Sequence, residues 1–125
     1  MKPALNHFIT FLPCLDLEAQ DRFYQRALGL SLRLDQGVCR IYSMGPGVSL
    51  GFCTTLKTLT PSDQVILTLV SSEVQAWHDD LVRQGVAVDG PPRVNERFQI
   101  LHFFAADPMG YRIEIQEFLD PRWNQ

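Results

Sequence analysis

Three polar side chains alternate with apolar ones in a strand-like segment near the end of the chain. In "YRIEIQEF", residues 111–118, Arg112, Glu114 and Gln116 occupy every second position. Because successive side chains of a β-strand point to opposite faces, these three share one face. A carboxylate beside a guanidinium and an amide can bind a polar ligand group, exchange a proton or coordinate a metal. Which of these applies depends on whether the face meets solvent or lines a cavity.

The histidines are the other candidates for chemistry. His7 lies two residues before Ile9, and therefore on the same face of the first predicted strand. His78 is predicted at the surface of the second helix. His102, in "ILHFF", either lines a cavity or packs within its sheet.

The cysteines do not form a metal-binding pattern. The chain has an odd number of cysteines, without the close spacing of metal ligands, and each lies in a strand-like segment: Cys14, Cys39 and Cys53. We expect free, buried thiols in a reducing cytoplasm.

Composition narrows the possible partners. The chain of 125 residues has a net charge of −3, so nucleic acid and anionic membranes are not expected as partners. No apolar run reaches the ~18 residues of a membrane span. The length predicts a single domain, residues 1–125. We interpret the apolar N-terminal stretch as a first strand and not as a signal peptide.

The two halves of the chain follow the same order of elements. The first half is predicted to form a strand, a helix and three further strands, at residues 7–14, 16–29, 30–34, 38–44 and 48–54. In the second half the corresponding elements are a strand at 65–71, a helix ending at Gly85, a short strand at 86–88 and strands within 98–107 and 111–118. Residues 89–97 are predicted as a loop with room for one edge strand. The inner side of the second helix should carry Val74, Trp77, Leu81 and Val82.

The spacing of helix boundaries indicates a repeated unit. The expected N-caps, Asp16 and Ser72, are 56 residues apart, and so are the terminating glycines, Gly29 and Gly85. The unit is β-α-β-β-β, with module one at about 5–55, a linker at 56–63 and module two at about 64–119. The sequence predicts an α+β fold, in which the modules form a curved, roughly eight-stranded mixed sheet. The helices lie outside and the concave face holds a ligand cavity.

Two motifs give this chain a resemblance to a known family. "DLEAQDRFYQRALG", residues 16–29, and "DPMGYRIE", residues 107–114, together with the paired modules, resemble the vicinal oxygen chelate superfamily. That group includes glyoxalase, extradiol dioxygenases and bleomycin resistance proteins. The resemblance implies either a divalent metal enzyme or a metal-free small-molecule binder, and it implies a homodimer.

The metal-dependent members of that superfamily carry His, Glu or Gln at four positions of the concave face. Glu114 matches one of them, but its counterpart in the first module is Gly51. The first-strand positions fall on Ile9 and on Val65 or Ile66. We therefore expect no cofactor. The alternative is Zn, Ni, Fe or Mn, with Glu114 and His7 as the first ligands.

The resulting function hypothesis is a small-molecule-binding protein of the cytoplasm. The residues predicted to contact the ligand are Ile9, Phe11, Cys53, Leu67, His102, Arg112, Glu114 and Gln116. Whether the chain is an enzyme stays open at this stage. As an enzyme it would be a glyoxalase-like lyase, an isomerase or a dioxygenase, with Glu114 as a metal ligand or as a metal-free general base.

Overall fold

The structure, a computed structural model, describes residues 1–57 and 65–124. The chain divides into two compact units, Met1–Thr60 and Pro61–Gln125. Within the described residues, eight strands form two four-stranded mixed sheets, one in each unit, which confirms the predicted α+β class. The joining of both sheets around one cavity stays a prediction. Most of the predicted linker, 56–63, lies outside the described residues.

The first unit follows the predicted β-α-β-β-β order. Its elements are β1 (Phe8–Pro13), α1 (Leu17–Asp21), a π-helical segment (Arg22–Ala27), β2 (Ser31–Asp35), β3 (Cys39–Gly45) and β4 (Val48–Cys53). The strand order in the sheet is β1-β4-β3-β2, with β1 parallel to β4 and the other pairs antiparallel.

The first helix begins where the sequence predicts and changes its winding halfway. The Asp16 carboxylate accepts hydrogen bonds from the backbone N–H groups of Glu18 and Ala19, which confirms it as the N-cap. The second half is π-helical: the N–H of Leu28 donates to the carbonyl of Phe23, five residues earlier. The sequence pattern had indicated one uniform helix over 16–29.

Aromatic side chains form the core of the first unit. The ring of Tyr24 lies 4.7 Å from that of Phe52 and 5.7 Å from that of Tyr42, between centroids. The Tyr42 hydroxyl donates to the Asp21 carboxylate at 2.9 Å. Burial raises the pKa of Tyr42, and the bond to Asp21 raises it further, so the phenol stays protonated.

The second unit repeats the plan with a short edge strand. Its elements are β5 (Ile66–Val70), α2 (Val74–Arg83), β6 (Arg93–Asn95), β7 (Ile100–Ala106), β8 (Arg112–Phe118) and a 3₁₀ helix (Pro121–Asn124). The order is β5-β8-β7-β6, with β5 parallel to β8. The predicted strand at 86–88 is reduced to a single bridge between Val88 and Ala105.

The start of α2 corrects one prediction. The N-cap is Glu73 and not Ser72. The hydroxyl of Ser71 accepts a hydrogen bond from the Glu73 N–H at 3.0 Å, so a serine supports this helix start from one position earlier than expected.

The buried face of α2 also differs from the predicted one. Val74 and Leu81 are buried, but Val82 is 49% exposed. His78, predicted at the surface, directs its ring edge at the Phe103 ring, with centroids 5.1 Å apart. Positions 74, 78 and 81 share one side of a helix of 3.6 residues per turn, so His78 falls on the face toward the sheet.

The turn before β8 is held by one carboxylate. Oδ1 of Asp107 accepts hydrogen bonds from the backbone N–H groups of Met109, Gly110 and Tyr111 at 2.8–2.9 Å. Gly110 has a φ of 101°, which favours glycine. This confirms the tight turn expected at "DPMG" and fixes the register in which β8 enters the sheet.

The expectation of three free thiols is wrong. Cys39 and Cys53 are directly opposite each other in the antiparallel pair β3–β4, with Cα atoms 4.2 Å apart, and they form a disulfide. Strand pairing brings the two together although their spacing in the sequence gave no sign of it. Cys14 keeps a buried thiol.

Gly51 leaves space that a neighbouring aromatic ring occupies. Phe11 is the strand neighbour of Gly51, and a Cβ atom added at Gly51 would lie 2.7 Å from two ring carbons of Phe11. Such a distance is too short, so a larger side chain at this position requires the ring to move. A ligating side chain at Gly51 would meet the same obstacle.

The described helices include none that is long and apolar enough to cross a membrane.

We expect one reactive thiol per denatured chain without reductant and three after reduction, counted by alkylation and mass spectrometry. Replacing Cys39 and Cys53 by alanine should lower the free energy of unfolding by about 3 kcal/mol, because the disulfide, at a sequence separation of 14, restricts the unfolded chain. The control is the same comparison in reducing buffer, where the difference should largely disappear. Three reactive thiols without reductant would contradict the disulfide.

Gly51→Ala should destabilise the protein by about 1 kcal/mol, because the new methyl group displaces the Phe11 ring. In a Phe11→Ala background the same change should stabilise by about 0.5 kcal/mol, because alanine loses less backbone entropy than glycine on folding. Urea unfolding of the four proteins measures the coupling. Equal effects of Gly51→Ala in both backgrounds would rule out the packing explanation.

Candidate functional site

Glu114 lies at the centre of the second sheet. It is on β8, between Thr68 of β5 and Phe104 of β7 in the strand register. Strand alternation places Arg112 and Gln116 on the same face as Glu114, as predicted. The opposite face carries Ile113 and Ile115, both buried. α2 packs against this sheet, and His78 meets it on the Phe103 side.

Three side chains form hydrogen bonds with the Glu114 carboxylate. Oε1 accepts from the Thr68 hydroxyl at 2.8 Å and from the Gln116 amide at 3.1 Å. Oε2 pairs with Nδ1 of His102 at 2.7 Å. Glu114 is only 7% exposed and His102 only 8%. A buried carboxylate is costly without partners, and here both of its oxygens have them.

Arg112 contacts an aromatic ring at the same face. Its guanidinium carbon lies 4.3 Å from the centroid of the Phe104 ring, a cation–π contact. The Phe104 ring also contacts the His102 ring in a T-shaped arrangement, with centroids 5.3 Å apart. The polar and aromatic groups of this face therefore form one connected layer.

A cleft of about 620 Å³ opens over this layer. Six of its lining residues are apolar or aromatic, namely Ile66, Phe98, Ile100, Phe104, Phe118 and Trp123. Seven are polar or charged, namely Asn95, Arg97, His102, Glu114, Gln116, Asp120 and Arg122. All of these residues belong to the second unit. We call this space the second-sheet cleft.

The C-terminal segment builds one wall of the second-sheet cleft. The Trp123 ring stacks on Phe118 with centroids 4.1 Å apart and planes inclined by 5°. Arg122 forms a forked ion pair with Asp120, which also accepts the backbone N–H of Arg122. The side-chain bonds from Arg122 hold the pKa of Asp120 below its usual range, so the fork persists at neutral pH.

The structure brings together four of the predicted ligand-binding residues, and one needs correction. His102, Arg112, Glu114 and Gln116 lie on one face of the second sheet. Leu67 does not join them, because it is the strand neighbour of Ile113 on the opposite face, and Thr68 occupies the position beside Glu114. The prediction was one residue out of phase.

The other predicted contacts lie in the first unit. Ile9 and Phe11 are on β1, each partly exposed, and their strand neighbours on β4 are Ser49 and Gly51. Cys53 lies further along β4, but its sulfur is in the disulfide and offers no thiol to a ligand.

The sequence interpretation missed Thr68, which donates to Glu114, and Trp123, which lines the cleft. Thr68 was overlooked because a threonine in an apolar strand usually marks β-propensity alone. Trp123 follows the last predicted strand, and only the "DPRW" sequence, with its turn residues and a tryptophan, hinted at an ordered segment there.

The donor atoms in place do not fit a metal centre. A catalytic site needs about three protein ligands. Glu114 and His102 supply two, and the Glu114 oxygens already accept hydrogen bonds. His7, the other proposed ligand, pairs with the Ser49 hydroxyl at 2.8 Å. Within residues 1–57 and 65–124, no group of three or more His, Cys, Asp or Glu side chains is arranged to hold a metal ion.

Comparison with known proteins places the fold in context. A family model described as the Glyoxalase/Bleomycin resistance protein/Dioxygenase superfamily matches residues 4–115. No curated protein matches the sequence.

Solved structures resemble the chain over nearly its whole length. TnmS3, an antibiotic binding protein from Streptomyces sp. CB03234, is 26% identical with a TM-score of 0.78, covering 94% of this chain and 98% of its own. A glyoxalase/bleomycin resistance protein/dioxygenase from Nocardioides is 21% identical with a TM-score of 0.75, covering 96% and 87%. A lactoylglutathione lyase from Agrobacterium tumefaciens is 18% identical with a TM-score of 0.72, covering 93% and 96%. The last two likenesses, below 25% identity, show the fold alone.

Removing the Glu114 side chain should destabilise the folded protein. Glu114→Ala leaves His102 Nδ1 and the Thr68 hydroxyl without their acceptor, so we expect a loss of about 2 to 4 kcal/mol in the free energy of unfolding. Glu114→Gln retains one acceptor oxygen and should cost about 1 kcal/mol. Glu96→Ala, at an exposed carboxylate, is the control and should change little. A Glu114→Ala protein as stable as this control would mean that the hydrogen-bond network does not stabilise the fold.

Proposed function

The chain belongs to the Glyoxalase/Bleomycin resistance protein/Dioxygenase superfamily, and we propose that it binds a small planar aromatic molecule in the second-sheet cleft. The observation that carries the proposal is the combination of a stacked aromatic pair, Phe118 and Trp123, with a buried polar group at Glu114 and His102.

The size and composition of the cleft suit such a ligand. A volume of about 620 Å³ falls within the range of small-molecule sites, which are mostly apolar with a few placed polar groups. Polar groups from β5, β7 and β8 converge on one carboxylate, and six aromatic or aliphatic side chains line the cleft around them. The other polar residues of the walls are Asn95, Arg97 and the Asp120–Arg122 pair. Apolar area supplies affinity in this arrangement and the polar groups supply orientation.

Trp123 is the side chain with most to gain from a ligand. It is 63% exposed although its ring is held parallel to Phe118. An exposed tryptophan whose ring is already oriented loses little conformational entropy when a ligand ring stacks on it. The stacking also buries apolar surface, which favours binding.

Binding without turnover is better supported than metal chemistry. The described residues do not assemble a metal centre, which weakens the alternative of a metal-dependent lyase, isomerase or dioxygenase using Glu114 and a histidine. Among the similar structures, the one named as an antibiotic binding protein has the highest identity of those described above. The homodimer and the cytoplasmic location stay predictions.

We expect planar compounds of two or three fused rings to quench Trp123 fluorescence saturably in a Trp77→Phe protein, where Trp123 is the remaining tryptophan. Trp123→Ala should weaken binding roughly tenfold by calorimetry, because a stacked ring and its buried area are lost. Trp77→Phe, on α2, is the matched control and should leave affinity unchanged.

Treatment with EDTA should also leave binding unchanged. If no compound of such a panel binds, or if binding requires an added divalent metal, the proposed function fails and the metal-dependent alternative becomes the preferred one.

A further inference from the structure

His102 presents one nitrogen to its own sheet and the other to the second-sheet cleft. Nδ1 pairs with the Glu114 carboxylate at 2.7 Å. Nε2 has no hydrogen-bond partner among the described residues. It is also absent from the fully buried polar atoms without a partner in that part of the chain, so it keeps some exposure to solvent. His102 is 8% exposed and lines the cleft. Nε2 is therefore a polar atom available to a ligand in the second-sheet cleft.

The hydrogen bonds of Glu114 fix which nitrogen carries the proton. Its Oε1 accepts from Thr68 and Gln116, and a carboxylate has no hydrogen of its own to donate. The remaining oxygen, Oε2, must then receive a hydrogen from Nδ1. In the neutral ring this leaves a lone pair on Nε2, directed away from Glu114.

We propose that Nε2 of His102 selects ligands that carry a phenolic or enolic hydroxyl on their planar ring system, with Glu114 as the residue that positions the imidazole. This inference rests on the proposed function, because it names the ligand class for the same cleft. Neutral Nε2 accepts a hydrogen bond from the O–H group. In the protonated ring, Nε2–H donates to the oxygen, so this ligand group pairs with either form of the histidine.

Other ligand groups match the surroundings less well. A carboxylate would meet only the protonated ring, and it would lie close to the Glu114 carboxylate. Besides His102 and Glu114, the charged side chains of the cleft walls are Arg97, Asp120 and Arg122. Asp120 and Arg122 are paired with each other. A ligand without a polar group at this point would displace water from Nε2 without replacing its hydrogen bond, and this desolvation would lower the affinity.

The test compares two probes that differ by one methyl group. 1-Naphthol carries a hydroxyl that stays protonated at neutral pH, and 1-methoxynaphthalene has the same ring with the hydrogen-bond donor removed. Calorimetry should show the naphthol binding roughly tenfold more tightly to the unmodified protein, the effect of one hydrogen bond in a site with little water.

Variants of His102 separate this contact from general packing. The asparagine of His102→Asn can still donate to Glu114 from its amide nitrogen but has no atom in the place of Nε2. The two probes should therefore bind this variant with about equal affinity. His102→Gln reaches further and keeps an acceptor, so it should retain part of the preference. His78→Asn, at the histidine on the opposite face, is the matched control and should keep the full preference. Circular dichroism verifies that each variant is folded.

The outcomes distinguish the two proposals. Equal affinity of naphthol and ether for the unmodified protein, or an unchanged preference in folded His102→Asn, overturns the role of His102 while the binding function stands. Failure of both probes, together with failure of the fused-ring panel, overturns the binding function and this inference with it.

Discussion

A carboxylate buried in the middle of a β-sheet is the constraint on which the second unit depends. Glu114 can remain there because side chains from β5, β7 and β8 itself donate to it. These donors meet only when all three strands are in register, and a shift of one residue would bring the isoleucine face to Glu114's place. The network thus ties strand pairing to the chemistry of the cleft, and a partly satisfied network would be worse than an apolar one.

The two units use equivalent positions in different ways. Phe11 and Gly51 are strand neighbours in the first sheet, as Thr68 and Glu114 are in the second. In the first unit the pair is an aromatic ring over a glycine, and in the second it is a hydroxyl bonded to a carboxylate. The repeated backbone therefore carries an apolar filling in one copy and a polar site in the other, which is consistent with a fold that hosts unrelated functions.

Much of the fold could be predicted from the sequence because periodicity and turn residues act locally. The Asp16 cap, the Asp107 turn and the alternation in β8 follow from short-range preferences that tertiary contacts did not override. The Cys39–Cys53 pairing could not be predicted, since it depends on which residues face each other across β3 and β4. Leu67 was misplaced for a related reason: within an apolar strand, composition does not say which of two alternating sets meets the polar face. The walls from the C-terminal segment were missed because that segment has too few residues to show a period.

The match to the family model ends at residue 115, but part of the cleft wall lies after it. Phe118 is the last residue of β8, Asp120 lies between β8 and the short 3₁₀ helix, and Arg122 and Trp123 are on that helix. The Asp120–Arg122 fork joins residues only two apart, and none of the paired residues of β7 and β8 lies after Phe118. The residues that the family model matches therefore do not specify this whole wall, and two chains that match the same model can differ in the shape of the proposed site.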